Sequence, residues 1–154
     1  MHAVKRSQRL GTLLATFAFF LPACGGGNTA SSSAATDTAP ATFTEVYATI
    51  FPTGTIAQCN YCHDRPPNNI SNGKLDLGHT QAVAYAAIVG PASSSAKCGG
   101  KPMVVAGDPS SSLFYLKMTP TPPCGDRMPQ GGTPLTDAQL ERVRSWITAG
   151  AKND

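Results

Sequence analysis

Cys59-Asn60-Tyr61-Cys62-His63 sets two thiols three positions apart and places an imidazole directly after the second. On one helical turn, residues at that spacing share a face. Three chemistries use such a pair. A redox dithiol needs a thiol of depressed pKa and ordinarily sits beside a βαβ unit. A structural zinc site needs four donors, so a second Cys or His pair must come from elsewhere. Covalent haem attachment uses all three residues together. Each S–H adds across one vinyl group of a single porphyrin, sulfur to one carbon and hydrogen to the other, and the imidazole reaches the iron. Pro66, Pro67, Asn68 and Asn69 follow the motif with no strong helix behind them, which disfavours the dithiol. Cys98 and Cys124 are too dispersed to form a second C-x-x-C, although in principle they complete four sulfurs. The motif therefore reads first as the attachment site of one haem (heme c), with His63 as proximal ligand. The other ring nitrogen of His63 is then free to donate to a backbone carbonyl, which fixes the ring.

The second axial ligand is a separate question. Met1 lies at the N-terminus, Met103 precedes Val104-Val105 in an apolar run that suits a strand or buried turn, and Met118 lies in a helix-like stretch where a core role fits better. Met128-Pro129 precedes a Gly-Gly turn in an irregular loop ahead of the last helix. Cys59-Asn60-Tyr61-Cys62-His63, Met128-Pro129 and the helix after Thr136 fall in an order that resembles the class I cytochromes c, and most of all the small cytochrome c-like domains of bacterial lipoproteins. The resemblance covers roughly residues 43 to 150. It implies a mainly α, small cytochrome c-like domain with long irregular loops, Met128 as distal ligand, and first and last helices crossing beside the haem edge, with Tyr47 and Trp146 as candidates for that contact. His79, giving bis-His ligation, is the runner-up to Met128. Met/His ligation fills both axial positions and raises the potential, which points to single-electron transfer and away from catalysis.

The elements that must hold these residues are short. Phe43, Val46, Tyr47 and Ile50 repeat at helical spacing, with Thr42 or Thr44 as cap and Pro52 and Gly54 as terminators. A second helix is expected over about 80–89, ending at Gly90. Gly107-Asp108-Pro109 turns the chain, and Ser110 to Ser112 can cap a further helix with Leu113 and Leu116 inward. Thr136-Asp137-Ala138-Gln139 is a capping box. Leu140, Val143, Trp146 and Ile147 form one face of the helix that follows, which Gly150 stops.

Ahead of this domain the chain looks like an address. Lys5, Arg6 and Arg9 precede an apolar stretch from Leu10 to Phe20, the layout of a secretory signal. Leu21-Pro22-Ala23-Cys24 resembles a bacterial lipobox, which implies a signal peptide over 1–23, a diacylglycerol on Cys24 and a membrane anchor. Gly25, with no Asp after the Cys, resembles lipoproteins sorted to an outer membrane. Residues 24–41, rich in Gly, Ser, Ala and Thr, read as a flexible tether, and residues 42–154 as the haem domain. The formal charge of +3 is carried by the three basic residues of the first ten. The mature chain is then balanced, and a basic nucleic-acid surface is not supported.

Five cysteines in an exported chain ask for an explanation. Cys24 takes lipid, Cys59 and Cys62 take haem, and Cys98 and Cys124 remain as a candidate disulfide, a hypothesis here. Such a bridge would tether the Met128 loop. Arg65, Lys101 and Arg127 are candidates for haem propionates, or plain surface charge. The reading is a membrane-tethered, periplasm-facing mono-haem electron carrier with redox protein partners of unknown identity. A haem-free, disulfide-stapled lipoprotein domain and a haem or thiol redox enzyme remain as alternatives.

Overall fold

The computed structural model describes residues 39–52, 54–55, 57–64, 75–78 and 80–154. The expected signal peptide over 1–23, Cys24, most of the tether, Arg65 and His79 lie outside them. The fold is mainly α: α1 (Phe43–Ile50), α2 (Cys59–Cys62), α3 (Gln81–Ile88), a 3₁₀ turn at Pro109–Ser111, α4 (Leu113–Leu116) and α5 (Asp137–Thr148). Among the described residues β pairing is confined to two isolated bridges, Val89 with Val104 and Ala92 with Pro102. Residues 117–136 form no regular element. No described helix is long and apolar enough to cross a membrane.

Each longer helix starts where its side chains can satisfy the free N–H groups of the first turn. Thr42 and Glu45 form a capping box on α1, Thr136 and Gln139 form one on α5, and Thr80 accepts from the amide of Val83 at the start of α3. The start of α1 is also tied to the end of the chain. Phe43 N donates to Asp154 Oδ1 at 2.8 Å and Thr44 N to Asp154 O at 3.0 Å, placing acceptor oxygens at the positive end of the helix dipole. Beyond α3 and α5 the backbone turns at Gly90 and Gly150, with φ of 104° and 105°, conformations that glycine adopts without penalty.

α1 packs on α5 and on α3, and Phe43 is the hub. Its ring centre lies 4.9 Å from Trp146, 5.2 Å from Tyr85 and 6.0 Å from Phe51. Such pairs add about 0.5–1.5 kcal/mol each beyond burial. The expected meeting of Tyr47 and Trp146 is thus replaced by Phe43 and Trp146. Phe43 is fully buried, whereas Tyr47 is half-buried and stacks on Phe51 at 5.2 Å. Trp146 keeps its indole N–H satisfied on the carbonyl of Lys152 at 2.8 Å. Phe51 stacks in turn on Phe114 at 5.8 Å, which carries the aromatic core from the α1–α5 contact to α4.

α4 differs from expectation in its inward face. It is one turn long and buries Leu113 and Phe114, while Leu116 is only half-buried. Ser112 is the reason the turn is placed where it is. Fully buried, its Oγ accepts from Val105 N at 2.8 Å and donates to Asp108 O at 2.8 Å, so it bridges the turn and does not cap α4. Asp108 caps the preceding 3₁₀ turn, accepting from the amides of Ser110 and Ser111. Met103 and Met118 are both buried, Met103 in an irregular segment and Met118 just past α4.

Candidate functional site

The thiols of Cys59 and Cys62 are carried on α2, a single turn hung from the end of α1. Asn60 N donates to Phe51 O at 3.0 Å and His63 N to Cys59 O at 3.0 Å. The turn is entered through Gln58 in the left-handed region, at φ 44°. A side chain held there costs on the order of 1 kcal/mol. Gln58 N is anchored on Thr55 Oγ1 at 3.1 Å, so the bend is held by named partners on both sides.

His63 follows α2 and is gripped twice by one segment. Its carbonyl accepts from Leu77 N at 2.7 Å, and its Nδ1 lies 3.3 Å from Leu75 O. A carbonyl can only accept, so the bond requires the proton on Nδ1 and leaves the lone pair on Nε2. Burial pulls the imidazole pKa below its ordinary value, and the Leu75 carbonyl partly offsets this. The ring is therefore a neutral base with one nitrogen fixed and the other available, the state in which histidine binds metals.

These groups open on a cleft of about 880 Å³, within the range of small-molecule and cofactor sites. Cys59, Cys62 and His63 line it together with Leu77, Leu113, Phe114, Leu135, Met103, Met118 and Met128. The cleft thus brings Met128 to the same cavity as the C-x-x-C-H motif from 65 residues downstream. It also brings two further thioethers that the sequence assigned to the core. The donor set suits a large, flat, apolar macrocycle: two thiols on one turn, an imidazole with a free Nε2, thioether sulfur, and walls of aliphatic and aromatic carbon. Haem fits this description.

The same geometry counts against the competing chemistries. Burial pushes the Cys59 thiol up to about 12, with Cys62 adding to the rise and a backbone hydrogen bond opposing it. A redox dithiol needs the opposite shift. Cys98 and Cys124 are joined by a disulfide, which removes them as zinc ligands, and no described cluster of three or more His, Cys, Asp or Glu could hold a metal ion.

The loop that carries Met128 is clamped onto the end of α4. Met128 N donates to Lys117 O at 2.7 Å and Arg127 Nε to Met118 O at 3.2 Å. The Lys117 ammonium donates to Cys124 O at 2.9 Å and also to Asp126 O, and the disulfide ties Cys124 back to Cys98. Of the cations expected near the cofactor, Lys101 and Arg127 do not line the cleft; Lys97 and Lys117 do. Burial pulls the Lys117 pKa down, Asp126 opposes the shift and Lys97 adds to it. Sequence reasoning missed both lysines, although each adjoins a residue it had singled out, Cys98 and Met118. No protein-family profile, curated protein or solved structure matches this chain.

Proposed function

We propose that the protein is a c-type cytochrome, tethered to a membrane through Cys24, that carries single electrons on one covalently held haem. The observation that carries this reading is the convergence of Cys59, Cys62, His63 and Met128 on one apolar cleft. Cys59 and Cys62 would hold the group by thioether bonds, His63 Nε2 would ligate from one side, and Met128 would supply the sixth position. The bound haem supplies a reversible one-electron iron couple. The chain's contribution is to orient and to exclude water. The Leu75 carbonyl fixes the His63 ring, and an apolar wall stabilises the less charged, reduced state of a metal centre relative to solvent. With His63 and Met128 both given to the haem, no protein-free position would remain for a substrate, which favours an electron carrier over an enzyme.

The test is a spectrum of protein exported from cells competent in haem attachment. Sharp reduced α and β bands that survive acid-acetone extraction are expected, with a sulfur-to-iron band near the red end that disappears in Met128→Ala. Colourless protein from such cells would refute the reading and leave the haem-free, disulfide-stapled lipoprotein domain.

A further inference from the structure

Segment 124–128 is held by contacts that serve no evident purpose in the hydrophobic core. Its residues are half-buried or exposed, yet the Lys117 side chain reaches the carbonyls of both Cys124 and Asp126. Two carbonyls separated by one residue can converge on one ammonium only if the residue between them bends the chain sharply. That residue is Gly125, at φ 57°. A Cβ built on Gly125 would meet Lys117 Nζ at 3.2 Å and Lys97 Cδ at 3.5 Å. The loop is thus wrapped around the ammonium, and its missing side chain is part of the fit. Lys117 also accepts the amide of Met128 on its own carbonyl, so one residue grips the segment at both ends.

We propose that Lys117 is a positioning residue for Met128, its ammonium serving as the post around which the distal-ligand loop is wound. The proposal rests on the haem reading above. It explains why a lysine that loses solvation in the cleft wall stays there. Charge-assisted hydrogen bonds to two carbonyls are stronger than neutral ones, and they hold the one segment that must keep a sulfur facing the cleft. The disulfide fixes only the start of that segment, at Cys124. The Lys97–Asp126 pair, at 3.8 Å between well-exposed side chains, contributes little. Arg127 Nε adds one bond, to Met118 O, whereas the ammonium holds two carbonyls of the segment, and it is the main side-chain restraint between the disulfide and Met128.

The experiment compares haem-loaded wild type with Lys117→Met and Lys117→Arg, each shown by non-reducing mass mapping to retain Cys98–Cys124. Lys117→Met is expected to keep thioether-bound haem, to weaken or lose the sulfur-to-iron band, and to bind added imidazole about tenfold more tightly, because an open loop no longer competes for the sixth position. Amide exchange over 124–128 should rise in the same variant, and Lys117→Arg should restore much of the band. If Lys117→Met fails to accumulate, Gly125→Ala is used in its place. It leaves the lysine present but crowds its seat, and it should raise exchange and imidazole affinity in the same direction. A coloured wild type whose variants keep the band, and an imidazole affinity within about twofold of it, would overturn the proposal alone. A colourless wild type would overturn the haem reading, and this proposal with it.

Discussion

Replacing both Cys98 and Cys124 by alanine should lower stability by about 3.5 kcal/mol, because the bridge closes a loop of 26 residues and the chain-entropy cost of opening such a loop in the unfolded state has that size. For a folded domain of about a hundred residues this corresponds to a fall of about 14 °C in Tm. The structure allows a sharper statement about where the loss arises. The segment after Cys124 keeps its other anchors: the Lys117 ammonium on Cys124 O, Met128 N on Lys117 O, and Arg127 Nε on Met118 O. The native loop should therefore stay in place, and the effect should act on the unfolded chain. Urea unfolding followed by Trp146 fluorescence measures the free energy, and its m-value should rise as the unfolded state expands. Amide exchange over 124–128 reports the native loop under conditions where the protein is folded. A loss below about 1 kcal/mol with an unchanged m-value would refute the entropic account. So would a large rise in local exchange at little global cost, which would mean that the disulfide works by holding the native loop.

Phe43→Ala should cost about 3–5 kcal/mol in urea unfolding, the range for truncating a buried aromatic, while Tyr47→Ala, half-buried at the edge of the cluster, should cost clearly less. Equal losses would contradict the assignment of Phe43 as the α1–α5 contact. Ser112→Ala should cost about 1–3 kcal/mol, since the amide of Val105 loses its acceptor inside the fold; a neutral result would mean that a water takes the hydroxyl's place. In protein made without haem attachment, a Cys59 thiol raised from 9.0 to about 12 has a thiolate fraction at pH 8 about a thousandfold below that of an unperturbed thiol. Alkylation of Cys59 at that pH should accordingly be slow until the protein unfolds. The sign for stability follows from the same shift. The folded state holds the proton more tightly, so this contribution is complete below pH 9 and is lost as pH rises from 9.0 toward about 12. Stability that is flat across that window would refute it.

The parts of this fold that the sequence made legible are those settled within a few residues. Both capping boxes depend on a hydroxyl and a Glu or Gln three positions on, and Thr42 with Glu45 and Thr136 with Gln139 form as the pattern requires. Val143, Trp146 and Ile147 bury along α5 as their spacing implies. The Cys98–Cys124 bridge was readable because five cysteines with three assigned leave one pair. What the sequence did not show is what distant segments decide. Phe43 and Tyr47 lie four residues apart on one helix face, and only the position of α5 determines which of them meets Trp146. Leu116 loses its expected burial because α4 is one turn long and Ser112 bonds back across the preceding turn to Val105 and Asp108. Met103 and Met118 looked like core residues. They are buried, but they also form cleft wall, a distinction that depends on the shape of the space beside them.

The two sides of the candidate site are held by different means. The His63 side is carried on the turn of α2 and held by backbone groups: Phe51 O receives Asn60 N, Leu77 N reaches His63 O, and Leu75 O fixes the ring. The Met128 side is assembled from Lys97, Cys98, Lys117, Met118 and 124–128, joined by a disulfide, two lysine-to-carbonyl bonds and two further hydrogen bonds to backbone carbonyls of α4's exit. It has no helix to stiffen it, since 117–136 is irregular. Its order must come from those cross-links, and removing them should free the Met128 side while leaving the motif side intact. On the haem reading, damage to the two sides then has different consequences. Variants around His63 impair retention of the group, whereas variants in the clamp leave it attached and change only what occupies the sixth position.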